Sequence, residues 1–190
     1  MIYRDNLLHG ERVYLTAIRR DDMDTYKKWF TNTELMRFLS GSVAMPHTQE
    51  RHERWFNHVT KDNDTYTFGI RLREDDRLLG NCDIEIESQF SHHGWVGIFI
   101  GDPDDWGKGY GTEAMGVLVR FGFMELNLHR ITLNVFAYNE RGIKAYEKVG
   151  FVHEGTNREA LYRDGTYHDV HIMGILRRDW MNKHHPELVK

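Results

Sequence analysis

A chain of 190 residues, 40% apolar and 13% aromatic, is long enough to bury a sizeable core as one globular unit. A net charge of -4 and a pI near 6.3 argue against a broad basic surface for nucleic acid or an anionic membrane, and the single cysteine, Cys82, excludes an internal disulfide and a cysteine-cluster metal site. The start of the chain carries Arg4, Asp5, Glu11 and Arg12 rather than the apolar stretch of a signal peptide, and no run approaches membrane-spanning length, so a cytoplasmic protein is expected. The twelve histidines are scattered, and His168 and His171, three apart on a predicted strand, face opposite sides, which gives no converging metal ligands.

The first predicted element is a half-buried strand over Glu11 to Ile18, where Val13, Leu15 and Ala17 alternate with Arg12, Tyr14 and Thr16. Asp21 and Asp22 then stand where helix caps belong, ahead of Met23, Tyr26, Trp29 and Phe30 at helical spacing. A short helical turn follows at Glu34 to Leu39, then a loop over Gly41 to Pro46. Thr48 is set to cap a helix carrying His52, Trp55, Phe56 and Val59 on one face. This region borders a substrate pocket or simply packs, and the packing reading is preferred for Trp55 and Phe56. If they instead formed an interaction surface, they would stand in a large exposed apolar patch.

From Thr65 the pattern turns to strands: Tyr66 to Leu72, a charged turn at Glu74-Asp75-Asp76, Leu78 to Glu87, and Gly94 to Gly101, joined closely enough for an antiparallel meander. In the second of these, Asp83, Glu85 and Glu87 share one face, which reads either as a solvated face or as the lining of a cationic substrate's site. The third runs through Asp102-Pro103-Asp104 into Trp106-Gly107-Lys108-Gly109-Tyr110-Gly111-Thr112 and a helix with Ala114, Val117, Leu118 and Phe121 on its buried stripe, leaving Glu113 and Arg120 in water. Three glycines at alternate positions allow tight turning and close approach of backbone NH groups. The helix start behind them adds unpaired donors and a positive dipole end, so the stretch reads as an anion cradle. It is not G-x-G-x-x-G, because Thr112 holds the last place, and no G-x-x-x-x-G-K-[ST] is present.

A β-rich run at Arg130 to Phe136 precedes Asn139, which is placed to cap a helix with Ile143, Tyr146 and Val149 on one face and Gly150 as its stop. Asp164-Gly165 marks a hairpin between Asn157 to Arg163 and Thr166 to Leu176. The domain is expected to fill residues 1–190, with a core at 11–180 and a short charged C-terminal tail.

Two segments in order, D-W-G-K-G-Y-G-T-E-A and N-E-R-G-I-K-A-Y-E-K-V-G-F, resemble motifs A (Q/R-x-x-G-x-G/A) and B (N-x-x-A-x-x-x-Y-x-x-x-G-F) of the GCN5-related N-acetyltransferase (GNAT) superfamily. The resemblance runs from Val13 to Trp180 and includes the closing Y-R-D-G-T-Y-H-D-V. It is nearest to the branch holding ribosomal-protein alanine and spermidine acetyltransferases. The chain departs from the motifs at Trp106, where Gln or Arg is usual, and at Gly142, where Ala is usual. The resemblance implies an α+β fold, α/β/α layered, with a mixed, mostly antiparallel sheet flanked by helices and acetyl-CoA across the loop.

The pyrophosphate would take NH groups from Gly107, Lys108, Gly109, Tyr110, Gly111 and Thr112, with the Lys108 side chain adding charge if it turns inward. The pantetheine arm would run along Ile98, Phe99 and Ile100 like an added strand. Asn139 would hold the arm from the other side, and Arg141 and Lys144 either meet phosphate or form a solvated helix face. Tyr146 would be the acid for the departing thiolate, although its spacing alone reads as a core tyrosine. The strand at Gly94 to Gly101 holds no internal carboxylate or histidine, so Glu85 is taken as the base, with His92 and His93 as alternatives. The implied activity is acetyl transfer in a ternary complex from acetyl-CoA to a primary amine, a protein N-terminus or a small amine such as a polyamine, an amino acid or an aminoglycoside-like amine, with no nucleic acid or membrane partner and room for a homodimer. The rival is a catalytically silent acyl-CoA sensor.

Overall fold

The computed structural model describes residues 6–59 and 64–188. Among them are seven strands: β1 (Val13–Thr16), β2 (Thr65–Leu72), β3 (Leu78–Ser88), β4 (His93–Ile100), β5 (Arg130–Phe136), β6 (Val152–Arg163) and β7 (Thr166–Leu176). The helices are α1 (Met23–Trp29), α2 (Thr33–Leu39), α3 (Gln49–Val59), α4 (Tyr110–Met124), α5 (Glu140–Val149) and α6 (Arg177–His184). The strands form one sheet in the order β1-β2-β3-β4-β5-β7-β6. Its pairs are antiparallel except β4 with β5, which run parallel and meet only at His93 with Arg130, Gly94 with Ile131 and Trp95 with Thr132. Beyond Trp95 the two strands separate, and the sheet opens into a cleft.

Alternation along β4 sends its side chains into two different cores. Val96, Ile98 and Ile100 join the cluster made with α4, α5 and α6, whereas Phe99 joins Tyr26, Trp29, Phe30, Leu35 and Phe56 from α1 to α3. Helices therefore cover both faces. α4 is the most apolar of them, burying Ala114, Met115, Val117, Leu118, Val119 and Phe123 against the strands. No helix among the described residues is long and apolar enough to cross a membrane.

The predicted elements appear in the expected order, and β6 starts at Val152, just past the Gly150 helix stop. Three expectations need correction. The charged tail is in part a helix: α6 buries Trp180, whose ring lies 5.6 Å from that of Phe123. Glu113 is not free in water, because its Oε1 accepts from the backbone NH groups of Arg12 (2.7 Å) and Val13 (3.2 Å). Arg120 likewise donates to the carbonyls of Leu7 and His9, so the two polar side chains of α4 pin the start of the chain to the helix. Phe56 is buried and Trp55 packs 4.8 Å from the Tyr26 ring, which removes the exposed patch that an interaction surface would need.

Candidate active site

The loop between β4 and α4 is held from behind, which leaves its front free. Asp102 accepts from the Asp104 NH (3.0 Å) and turns the chain. Asp105, buried beneath the loop, is gripped by both terminal nitrogens of Arg77 (2.6 and 3.1 Å), and this bidentate bond holds its carboxyl below the usual aspartate range. Arg12 donates to the Lys108 carbonyl (3.0 Å) and pairs with Glu113 (3.0 Å). Gly107 and Gly109 take left-handed φ values of +75° and +87°, a conformation that an L side chain adopts only under strain. A Cβ at Gly109 would also lie 3.1 Å from Arg12 Nη2. Gly109 is the N-terminal cap of α4, so the first NH groups of a fifteen-residue helix point out of the loop without helical partners.

A cavity of about 970 Å³ starts at this loop and fills the cleft between β4 and β5. One wall is α5. There Asn139 caps the helix by accepting from the Gly142 NH (3.0 Å), and a Cβ at Gly142 would sit 2.6 Å from Asn139 Nδ2, so the departure from Ala gives the cap its space. Trp106 reaches back to donate its indole NH to the Ile100 carbonyl (2.7 Å), and the Arg141 guanidinium lies 4.0 Å over its ring. Burial lowers the pKa of Arg141. Where the motif has Gln or Arg on the loop, this chain has an aromatic platform that carries an arginine from the facing helix. The cavity continues past the cleft to α2, β6 and β7, where Phe38, Leu39, Asn157, Leu161 and Val170 line it.

Residues 12–152 match the acetyltransferase (GNAT) domain family. The chain belongs to the GNAT family. The probable N-acetyltransferase YjcK of Bacillus subtilis is 33% identical over 181 residues, covering 91% of this chain and 98% of that protein. Spermidine N(1)-acetyltransferase of Vibrio cholerae is 30% identical over 175 residues, covering 92% and 98%. A crystal structure of spermidine N-acetyltransferase from Vibrio cholerae in complex with CoA and spermine superposes with a TM-score of 0.82 at 25% identity, over 91% of this chain and all of that one. The chain is thus an N-acetyltransferase with acetyl-CoA as its cosubstrate.

Within this GNAT enzyme, Ile98, Phe99, Ile100, Trp106, Gly107, Gly109, Tyr110, Gly111, Thr112, Asn139, Arg141, Lys144 and Tyr146 all line the cavity. Lys108 does not. Its amino group turns to Asp105 (3.4 Å) rather than inward. Lys144 pairs with Glu140 across one helical turn (3.6 Å) and stays exposed. Tyr146 is half-buried on the wall, and desolvation of its hydroxyl pushes it up to about 12.

The base expected at Glu85 finds no support in the lining, because its side chain is exposed on β3, one strand away from the cleft. His93 is occupied by Thr132 Oγ1 (2.7 Å) and Glu87 (3.0 Å), and His92 sits in the turn at φ +50°. Asp83, two residues before Glu85, is the unusual carboxylate. It lies opposite Gly97, which does line the cavity, and a Cβ at Gly97 would come within 3.0 Å of Asp83 Oδ1. Burial first, and the neighbouring Glu85 charge second, raise Asp83 to about 6. Sequence alone gives Asp83 and Glu85 the same face; only the missing side chain across the strand separates them.

Proposed function

We propose that the cleft binds acetyl-CoA with its pyrophosphate at Gly107 to Thr112 and its pantetheine arm along Ile98, Phe99 and Ile100, and that the far arm of the cavity receives a primary amine for direct transfer. The observation that carries this reading is the cleft itself: a backbone edge on β4 with no neighbouring strand past Trp95, with the cradle at one end and Tyr146 on the facing wall. The left-handed glycines fit a polyanion, since they bring unpartnered NH groups to the front of the loop. Bound there, acetyl-CoA supplies an activated acyl group as a thioester.

The roles of the side chains follow from their states. Asp83 is assigned as the base in preference to Glu85, because a carboxyl near 6 beside Gly97 is ionised at neutral pH and still basic enough to relay a proton from an ammonium through water. Tyr146 at about 12 keeps its proton and donates a hydrogen bond to the sulfur as negative charge develops there. The nitrogen–carbon bond forms as the carbon–sulfur bond breaks. The first ammonium proton goes to Asp83 and on to solvent, and the second reaches the sulfur, giving an amide and a free thiol. Free NH groups on the β4 edge supply donors for the carbonyl oxygen. Arg141, steadied on Trp106, is available to a phosphate at the cleft mouth.

The test is turnover. Purified protein with acetyl-CoA and a panel of primary amines should release CoA thiol only when an amine is present. Tight acetyl-CoA binding with no thiol release from any amine would sink the proposal and leave a silent binding protein.

A further inference from the structure

The chemistry of the acceptor's body can be read from the far arm of the cavity, given the transferase reading above, on which this inference rests. Phe38 and Leu39 from α2, Trp95 from β4, Phe136 from β5, Leu161 from β6 and Val170 from β7 form its walls. Its polar groups are neutral, chiefly the amides of Asn134 and Asn157. Among the described residues, the carboxylates lining the cavity are Asp105 and Glu140, and both lie at the cofactor end. Asp105 is held by Arg77 and Lys108, and Glu140 pairs with Lys144.

Three carboxylates outside the arm are also engaged, among them Glu34, whose charge acts on Arg141. Asp164 bonds Arg37, and Asp169 accepts from the Glu159 NH (2.8 Å). Of the acidic row at Asp83, Glu85 and Glu87 on β3, only Asp83 stands directly behind the lining, opposite Gly97, where it serves the reacting ammonium. Among the described residues the cations lining the cavity are Arg141, Lys144 and Lys148, none of which offers a second ammonium a counter-charge.

We propose that the acceptor is a small monoamine on an apolar body of about arylalkyl size, and not a polyamine. An amine entering such an arm brings one ammonium, which Asp83 can relieve of its proton. Each further ammonium of a polyamine would lose water without gaining a counter-charge, and that is costly in an apolar setting. An aryl or branched alkyl group gains instead, because it exchanges water for the rings of Phe38, Trp95 and Phe136. The proposal separates this enzyme from relatives named for spermidine, although the fold and cofactor cleft are shared.

The experiment compares kcat/KM at saturating acetyl-CoA for 2-phenylethylamine, hexylamine, putrescine, spermidine and a tripeptide with a free N-terminus. The expected result is a preference of about 100-fold for phenylethylamine over spermidine, the scale at which burial of one apolar group or exclusion of one unpaired charge discriminates. A second arm uses Ala160→Glu, at an exposed position on β6 that lines the same arm and whose fold is checked by its melting temperature. A carboxylate there should narrow the preference by about tenfold through gain on spermidine. Spermidine or the tripeptide leading the panel would overturn the inference while leaving the transferase reading intact, and so would an unchanged ratio in a folded Ala160→Glu protein. Thiol release with no amine at all would overturn both, a result distinct from either of these.

Discussion

At the cofactor end the cavity is walled by one nearly continuous stretch of chain, 98 to 112, and by one face of α5. At the acceptor end the same cavity takes one or a few side chains from each of α2, β4, β5, β6 and β7. In the proposed binding mode the first end recognises its ligand mainly through backbone NH groups, which any sequence carries once glycines permit the conformation. The second relies on side-chain identity. A backbone site constrains residue types tightly and locally, whereas a side-chain site can change its ligand through single substitutions on elements far apart in the chain.

That contrast can be broken or sharpened by substitution. The largest effect is expected at the junction of the two ends, where Tyr146→Phe should lower kcat by about 100-fold to 10,000-fold and leave acetyl-CoA affinity, measured by calorimetry, nearly unchanged. Equal turnover would remove the tyrosine from the chemistry. Next, Gly109→Val should weaken acetyl-CoA binding by about 10-fold to 100-fold, because φ +87° strains a β-branched residue. Gly116→Ala, in α4 with open space at its Cβ, serves as the control and should bind normally.

Asp83→Asn tests the base through pH. The wild-type rate should rise through an acid limb near pH 6 that the variant lacks. Stability should respond with a defined sign. Since the folded pKa lies above the ordinary 3.8, folding holds this proton more tightly, so wild type loses stability as pH rises from about 4 to about 6. The variant should therefore melt higher than wild type at pH 8 and alike at pH 3.5. The smallest effect belongs to Arg37→Ala. It removes a half-exposed ion pair between α2 and the β6–β7 hairpin, and should raise the amine KM by about fivefold or less while acetyl-CoA binding stays fixed.

Much of the cofactor end is legible in the sequence because its determinants are neighbours: strand, turn, three glycines, helix start, and the Asn139 cap to Tyr146 spacing. What escapes is every feature that depends on a partner from elsewhere in the chain. Lys108 is drawn off by Asp105, Glu113 by the backbone of β1, and Arg141 is recruited by Trp106, none of which periodicity can show. The choice between Asp83 and Glu85 turned on Gly97, fourteen residues from Asp83 in sequence and directly opposite it in the sheet. The α6 helix went unread because its apolar residues, Trp180 and Met181, are too few to show a period. The far arm shows in the sequence only through the stretch at Glu34 to Leu39, because its other walls come from four separate strands.

The short parallel pairing of β4 with β5 has a wider consequence. Past Trp95 the sheet has an internal border whose hydrogen-bonding groups lack a neighbouring strand, the kind of edge that proteins usually cap or hide. In the proposed binding mode the cosubstrate is the cap. A ligand that binds only the folded protein adds about 2.7 kcal/mol of stability at a hundred times its dissociation constant. In that binding mode acetyl-CoA should slow proteolysis of the enzyme, which limited digestion with and without the cosubstrate measures.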